Sequence, residues 1–78
     1  MKINEIRESV EKNNCISFKL FALIYIIEKV DNQHYLIYTT SMPNSKRYFK
    51  SLDELLTKYR IFGDNIISYE DRLRKIEN

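Results

Sequence analysis

The run LFALIYII at residues 20–27 is the most hydrophobic stretch of the chain and decides its fold. In the preceding ISFK at residues 16–19, apolar and polar side chains alternate, as in a half-exposed strand. The two segments together predict one long strand that starts half-exposed and becomes buried on both faces. The β-branched and aromatic residues 24–27 favour a strand. Because periodicity alone does not separate a short buried strand from a helix, a buried helix over residues 17–29 stays open as the alternative.

Turn and strand signals follow this run. Asp31-Asn32-Gln33 is predicted to form a hairpin turn, because Asp and Asn tolerate left-handed backbone. His34–Thr40 is rich in Tyr, Ile and Thr and is predicted to be the second strand. Residues 41–45 include Pro43 and are predicted to form a loop. Arg47–Lys50 is predicted to be a short third strand at the sheet edge, where basic side chains discourage pairing with other chains.

Helices are predicted at both ends of the chain. Ile3, Ile6 and Val10 recur at helical spacing and define a short first helix that ends near Asn13-Asn14. A last helix is predicted from about Ser68 to Glu77, because it opens on a capping residue and carries acids in its first turn.

The clearest local signal is the capping box SLDE at residues 51–54, in which Ser51 caps the Glu54 amide and Glu54 reaches back. The helix that follows has one apolar face as far as Phe62, and Gly63 stands where a C-cap glycine is expected. The order is therefore α-β-β-β-α-α. We expect a single small α+β domain over residues 1–78, with a three-stranded antiparallel sheet packed against helices.

Composition excludes several classes of protein. The charged fraction is 31% and the net charge only +2, which is not the excess of a dedicated DNA-binding domain. The longest apolar run has eight residues, whereas a membrane-spanning helix needs about twenty, so no membrane segment is expected. The lone Cys15 fits a reducing cytoplasm better than secretion. Abundant Asn, Lys, Ile and Tyr have AT-rich codons, which favours a low-GC bacterium or its phage as the source.

No catalytic, metal or cofactor constellation is visible in the sequence. The chain has one His, His34, and one Cys, Cys15, and structural roles are the expected ones for both. It has no CxxC, HxxxH or EF-hand spacing for a metal, and its one Gly cannot build a phosphate-binding loop. We therefore expect no catalytic residue, no metal, no cofactor and no enzyme activity.

Binding to another macromolecule is the remaining class. The chain has six Tyr and four Phe, and exposed Tyr is favoured at protein interfaces. We predict a non-catalytic protein-binding module, such as an accessory or inhibitor protein of a phage or another mobile element. The alternative is a small nucleic-acid-binding protein that uses a basic edge-strand patch. The candidate partner-binding residues are Tyr35, Tyr38, Lys46, Arg47, Tyr48 and Lys50.

One junction is similar to a known pattern. Phe49-Lys50-Ser51, at the predicted passage from strand to helix, resembles the sheet-plus-helix DNA-binding modules at the N-terminus of some phage-type integrases. Arg47-Tyr48 stands where that pattern has a glycine, and the apolar strand at 20–27 is foreign to it. The resemblance implies a DNA-contacting sheet and assigns the chain to no family.

The hydrophobic run also predicts self-association. A sheet that is apolar on both faces needs cover on both sides, and the two C-terminal helices would cover one face. The narrow stripe of the first helix looks insufficient for the other face. An uncovered apolar face usually marks an interface. We therefore expect a homodimer with two-fold symmetry, the commonest closed arrangement. The alternative is a monomer in which a helix folds over the second face.

Overall fold

The computed structural model describes residues 1–76 as an antiparallel sheet with two α-helices, a 3-10 helix and a small separate hairpin. The fold is therefore of the predicted α+β class. The elements are α1 Ile3–Asn13, β1 Cys15–Leu20, β2 Leu23–Asp31, β3 His34–Thr39, β4 Met42–Phe49, α2 Leu52–Lys58, β5 Arg60–Ile61, β6 Asp64–Asn65, a 3-10 helix Ile67–Arg72, and β7 Arg74–Lys75.

The main sheet has five strands in the order β4-β3-β2-β1-β7, and every neighbouring pair is antiparallel. The prediction of three strands was wrong. One additional strand comes from the hydrophobic run, which is divided between β1 and β2, and the other is β7 near the C-terminus. The short strands β5 and β6 form a two-stranded hairpin of their own.

The expected single strand over residues 16–27 is a β-hairpin. β1 pairs with β2 over their whole shared length, and Leu20 lies opposite Leu23 across a two-residue turn. Phe21 starts that turn with a backbone φ of 57°. Such a turn normally contains Gly, Asn or Asp, and this run contains none of them. The chain therefore reverses its direction at a place where the sequence shows no turn signal. The alternative of a buried helix over residues 17–29 was also wrong.

The predicted loop at residues 41–45 belongs largely to β4, which is longer than expected. The chain turns at Thr40-Ser41, where the hydroxyl of Thr39 accepts the amide of Met42 at 3.2 Å. Pro43 lies inside β4. A proline is compatible with this strand because β4 is the outermost strand of the sheet and one side of its backbone has no ladder partner there. The edge position predicted for residues 47–50 is thereby confirmed.

The first helix forms as predicted. Ile3, Ile6 and Val10 are its buried residues, and it ends at Asn13 because Asn14 takes a left-handed backbone conformation. Its first turn is stabilised from the other end of the chain, since the amide of Ile3 donates to a Glu70 carboxylate oxygen at 2.9 Å. A carboxylate at this position satisfies a free amide and interacts favourably with the helix dipole.

The second helix begins as predicted and ends earlier. The Ser51 hydroxyl accepts the Glu54 amide at 3.0 Å. The helix stops at Lys58 because Tyr59 takes an extended conformation, so that Phe62 does not lie on it. Gly63 has a left-handed backbone with φ of 89°, but it forms the turn between β5 and β6 rather than a helix cap.

The predicted C-terminal helix from Ser68 to Glu77 was wrong. A 3-10 helix, Ile67–Arg72, stands in its place and is followed by β7, which pairs with β1. Asn65 starts the 3-10 helix, because its side-chain oxygen accepts both the amide and the hydroxyl of Ser68. Local hydrogen bonds of this kind compete with a longer α-helix. Glu77, the predicted end, lies outside the described residues.

The hydrophobic core lies on one face of the sheet only. Strand alternation directs one set of side chains toward α1, α2 and the C-terminal elements, and all of these side chains pack into one cluster. The cluster contains Ile3, Ile6, Val10, Ile16, Phe18, Leu20, Tyr25, Ile27, Tyr35, Ile37, Phe49, Leu52, Leu55, Leu56, Ile61, Ile66, Tyr69 and Leu73.

Candidate binding surfaces

The face of the sheet opposite the helices has no cover among residues 1–76. The register places Ile26 beside Tyr38 and Leu36 beside Tyr48 on this side. Ile24 lies on the same side, one step further along β2. We call this group of five residues the open face. Its exposure rises toward the outer strand, where Tyr48 is 60% exposed.

Leu36 shows that this face is partly packed even without a helix over it. It is only 5% exposed, yet it does not belong to the core cluster on the other side of the sheet. Its cross-strand neighbours are Glu28 and Tyr48, so side chains of the sheet itself must cover it. The open face therefore has an apolar centre and an aromatic margin.

On this face Tyr38 contacts two charged side chains, Glu28 and Lys46. The Tyr38 hydroxyl donates to a Glu28 carboxylate oxygen at 3.3 Å. The pKa of Tyr38 is raised, first by partial burial and then by the negative charge of Glu28. The ammonium group of Lys46 lies 5.4 Å from the centre of the Tyr38 ring, within the range of a cation–π contact.

The structure separates the basic residues that the sequence grouped together. Lys46 and Tyr48 are on the open face, whereas Arg47 points to the opposite side of β4. There its guanidinium carbon lies 5.5 Å from the centre of the Phe49 ring and 5.9 Å from that of Tyr59. Strand alternation is the reason, because successive side chains point to opposite faces.

The remaining two predicted residues contribute differently. Tyr35 is 8% exposed and belongs to the core cluster, so it lies on the covered side of the sheet and not on the open face. Lys50 is exposed just after β4, between the strand and the cap of α2. Four of the six candidates, Tyr38, Lys46, Tyr48 and Lys50, therefore remain available on or near the open face.

A second surface, which the sequence analysis missed, lies at the turn end of β1 and β2. The Phe21 ring meets the Phe62 ring at 5.5 Å between centres and the Tyr69 ring at 5.7 Å, both edge to face. Phe21 is 49% exposed and Phe62 is 76% exposed. Tyr69 is buried, and its hydroxyl donates to the Ile61 carbonyl at 2.6 Å. We call these three rings the aromatic tip.

Both exposed rings of the tip stand on left-handed backbone. The φ angles are 57° at Phe21 and 51° at Phe62. This conformation costs an L-residue with a large side chain about 1–2 kcal/mol, and Gly or Asn is the usual occupant. The dipeptide Phe62-Gly63 between two short strands is a turn signal that could have revealed one half of the tip. Nothing in the sequence marks Phe21.

A shallow depression of about 350 Å³ adjoins the tip. Its lining contains three cations, Lys19, Arg72 and Arg74, against one carboxylate, Asp71, with Phe21 as the apolar wall. Lys19 and Arg74 are cross-strand partners in β1 and β7, so the pairing of these strands places the two like charges side by side. On the other side of the tip, Arg60 donates to the Gly63 carbonyl at 3.3 Å.

No hydrogen bond joins the two residues considered for catalysis, His34 and Cys15, in the described residues. His34 Nδ1 pairs with Asp31 Oδ1 at 2.7 Å in the hairpin between β2 and β3, while Cys15 is exposed at the start of β1. The pKa of Asp31 is lowered, first by the amide of Gln33 and then by His34. Within residues 1–76 there is no group of three or more His, Cys, Asp or Glu side chains that could hold a metal ion.

No protein-family model, no curated protein and no solved structure matches this chain. In the part of the chain that the structure describes, no helix combines the length and the apolar character needed to cross a bilayer.

Proposed function

We propose that this chain is a non-catalytic protein-binding module that uses the open face of its sheet, as a cytoplasmic accessory or inhibitor protein of a phage or mobile element. The observation that carries the proposal is the one-sided core. Five apolar or aromatic side chains, Ile24, Ile26, Leu36, Tyr38 and Tyr48, form a surface opposite both helices. Contiguous exposed apolar surface of this type is characteristic of protein–protein contact sites.

The composition of the open face supports a protein partner. Its centre is aliphatic, and Tyr, which is enriched at interfaces, stands at its margin. Tyr48 offers a large, rigid contact area for little loss of side-chain entropy. Glu28 lies beside Leu36 on the same side of the sheet, where its charge would repel a phosphate backbone, whereas a protein can offer a hydrogen-bond donor to it.

In the absence of that partner we propose that the open face pairs with a second copy of the chain. A small domain has a thin core, and burial of a second sheet face would add to its stability. Two sheets can stack face to face at about 10 Å. A two-fold arrangement would bring each open face onto its own copy.

The experiment is affinity capture from a lysate of the source cells with immobilised chain. Wild type, Tyr48→Thr and Ile67→Thr are compared, since Ile67 is an exposed isoleucine of the 3-10 helix, outside the open face. We expect a protein to be captured by wild type and by Ile67→Thr and to be lost with Tyr48→Thr. Recovery of nucleic acid without a protein partner would contradict the proposal.

A nucleic-acid-binding function is the second candidate, and one observation favours it. Lys46 and Tyr48 share the open side of the outermost strand, and Lys50 follows just beyond. Aromatic rings between cations are the elements of single-strand binding. A gel-shift series from low to moderate salt tests it, because binding through phosphates weakens steeply with salt. Lys46→Ala should weaken the shift and Lys58→Ala, on the exposed side of α2, should not.

A further inference from the structure

The aromatic tip exposes apolar surface that does not belong to the hydrophobic core. Phe62 is 76% exposed, and its one aromatic contact among residues 1–76 is with Phe21, which is itself 49% exposed. Both residues occupy left-handed backbone that Asn or Gly adopts with less strain. Strained residues that persist in exposed turns are found preferentially at functional sites. We therefore infer that these two rings contact another molecule.

The depression beside Phe21 has an excess of positive charge. Lys19, Arg72 and Arg74 line the depression beside Phe21, and Asp71 is the only carboxylate in that lining. Arg60 extends the positive rim on the side of Phe62 through its bond to the Gly63 carbonyl. An apolar centre with a basic rim complements an apolar group that is flanked by carboxylates.

We propose that the aromatic tip binds an acidic protein segment that carries one apolar side chain. The apolar side chain packs against Phe21 and Phe62, and the carboxylates of the segment reach Lys19, Arg72 and Arg74 across the depression. Lys19 borders the open face, since it lies opposite Ile24 across β1 and β2. The two exposed rings are not residues of the open face, so the proposal does not depend on the function proposed above.

The geometry favours a peptide over a nucleic-acid base. The two exposed rings meet edge to face, with 69° between their planes, and so they do not offer two parallel surfaces for successive bases. The Asp71 carboxylate in the depression can accept hydrogen bonds from the backbone amides of a peptide, which a nucleic-acid backbone does not offer. Tyr69, anchored on Ile61, holds Phe21 in place before the partner arrives.

The test is a titration of the full chain, labelled with ¹⁵N, by a twelve-residue peptide of Asp and Glu with one central Phe, at low salt. The control peptide has Lys in place of every acid. We expect amide shifts confined to residues 19–21, 62–63 and 72–74. We also expect at least tenfold tighter binding of the acidic peptide, and weaker binding as salt is added.

The variants are Phe62→Asn and, as the matched control, Val30→Asn. Val30 is also exposed, at 56%, and lies at the opposite end of β2 from the tip. Phe62→Asn should weaken binding at least fivefold while the urea midpoint of unfolding stays constant or rises, because Asn adopts left-handed backbone readily. Val30→Asn should leave peptide binding unchanged. A ring with a merely structural role would show the reverse pattern, with a lower midpoint and unchanged binding.

Three results overturn the proposal. The first is equal affinity for the acidic and the basic peptide. The second is a set of shifts confined to the open face, which would leave the function proposed above intact and remove this one. The third is binding to phosphatidylserine vesicles or to a twelve-nucleotide oligothymidine without binding to the acidic peptide.

Discussion

The two faces of the main sheet are built by the same strands and differ in what covers them. Leu36 and Ile37 are neighbours in β3 and point to opposite sides. Their exposures are almost equal, at 5% and 0%, but Ile37 is covered by the core cluster, while Leu36 is covered by side chains of the sheet. Low exposure therefore has two physical origins here, and they should have different energetic consequences.

The largest difference is expected when these two neighbours are truncated. Ile37→Ala should lower the free energy of unfolding by about 2–5 kcal/mol, because it leaves a cavity among residues that cannot fully relax. Leu36→Ala should cost only about 1–2 kcal/mol, because the half-exposed side chains around it can move into the space. Urea unfolding followed by circular dichroism measures both values.

Equal losses for the two variants would show that the open face is as tightly packed as the core. The measurement is made at several protein concentrations, since self-association adds a concentration-dependent term to the stability. If the loss for Leu36→Ala grows with concentration while that for Ile37→Ala does not, the excess belongs to the interface between two copies.

A smaller difference is expected at alkaline pH. Burial raises the pKa of Tyr25 on the covered face above its ordinary value of 10.0, with Tyr59 and Tyr69 adding to the shift. The folded chain thus holds this proton more tightly than the unfolded chain does. The associated stability is fully present below pH 10 and is lost as the pH rises through the raised pKa. Tyr25→Phe should therefore flatten the fall in stability above pH 10.

The matched variant on the open face is Tyr38→Phe. The pKa of Tyr38 is also raised, by partial burial and by Glu28. Tyr38 is the more accessible of the two residues, so its removal should flatten the alkaline fall less than Tyr25→Phe. Urea midpoints between pH 7 and pH 11 provide the comparison. A larger effect of Tyr38→Phe would mean that the charge of Glu28 outweighs burial.

Three of the four hairpin turns in residues 1–76 show how much of this fold could be predicted from sequence. The turn at Asp31-Asn32-Gln33 was predicted, because the Asp31 carboxylate accepts the Gln33 amide and such residues are recognisable. The turns at Phe21 and at Phe62 place a bulky side chain on left-handed backbone, against local preference. The sequence shows no signal for the turn at Phe21, and this turn divides the one predicted strand into β1 and β2.

The end of α2 and the strand β7 were missed for a related reason. The Ser51 cap is a local bond between two nearby residues, so the start of α2 was readable. Its end depends on Tyr59 extending toward the β5–β6 hairpin, which is set by tertiary packing. β7 consists of the two charged residues Arg74–Lys75, which have no strong preference for a strand. It forms because it pairs with β1, and the local sequence does not predict that pairing.

The candidate site was predicted in part. Composition indicated Tyr and basic residues near β4, and Lys46 and Tyr48 do lie together on the open face. The opposite placement of Arg47 follows from strand alternation once the register is known. The burial of Tyr35 follows in the same way from its place opposite Phe49. The aromatic tip depends on contacts between distant turns. Phe62-Gly63 is a local signal for one of these turns, but no local pattern predicts the other turn or their contact.

The last prediction concerns the open face alone and has the smallest expected effect on the fold. The double variant Ile26→Thr/Tyr48→Thr keeps residues that suit a strand and removes apolar surface from this face. Its stability as a monomer should stay within about 1 kcal/mol of wild type, because surface substitutions rarely cost more than about 0.5 kcal/mol each.

The double variant should abolish association. By light scattering at micromolar concentration, wild type should have twice the 9.5 kDa mass of one chain, and the variant should have the mass of a single chain. Ile67→Thr removes exposed apolar surface from the 3-10 helix, outside the open face, and should remain dimeric. A wild-type mass that stays at 9.5 kDa as the concentration rises would show that the sheet face is stable in water without a second copy. In that case the proposed homodimer is wrong, and the neighbours that shield Leu36 are sufficient cover for this face in the free chain.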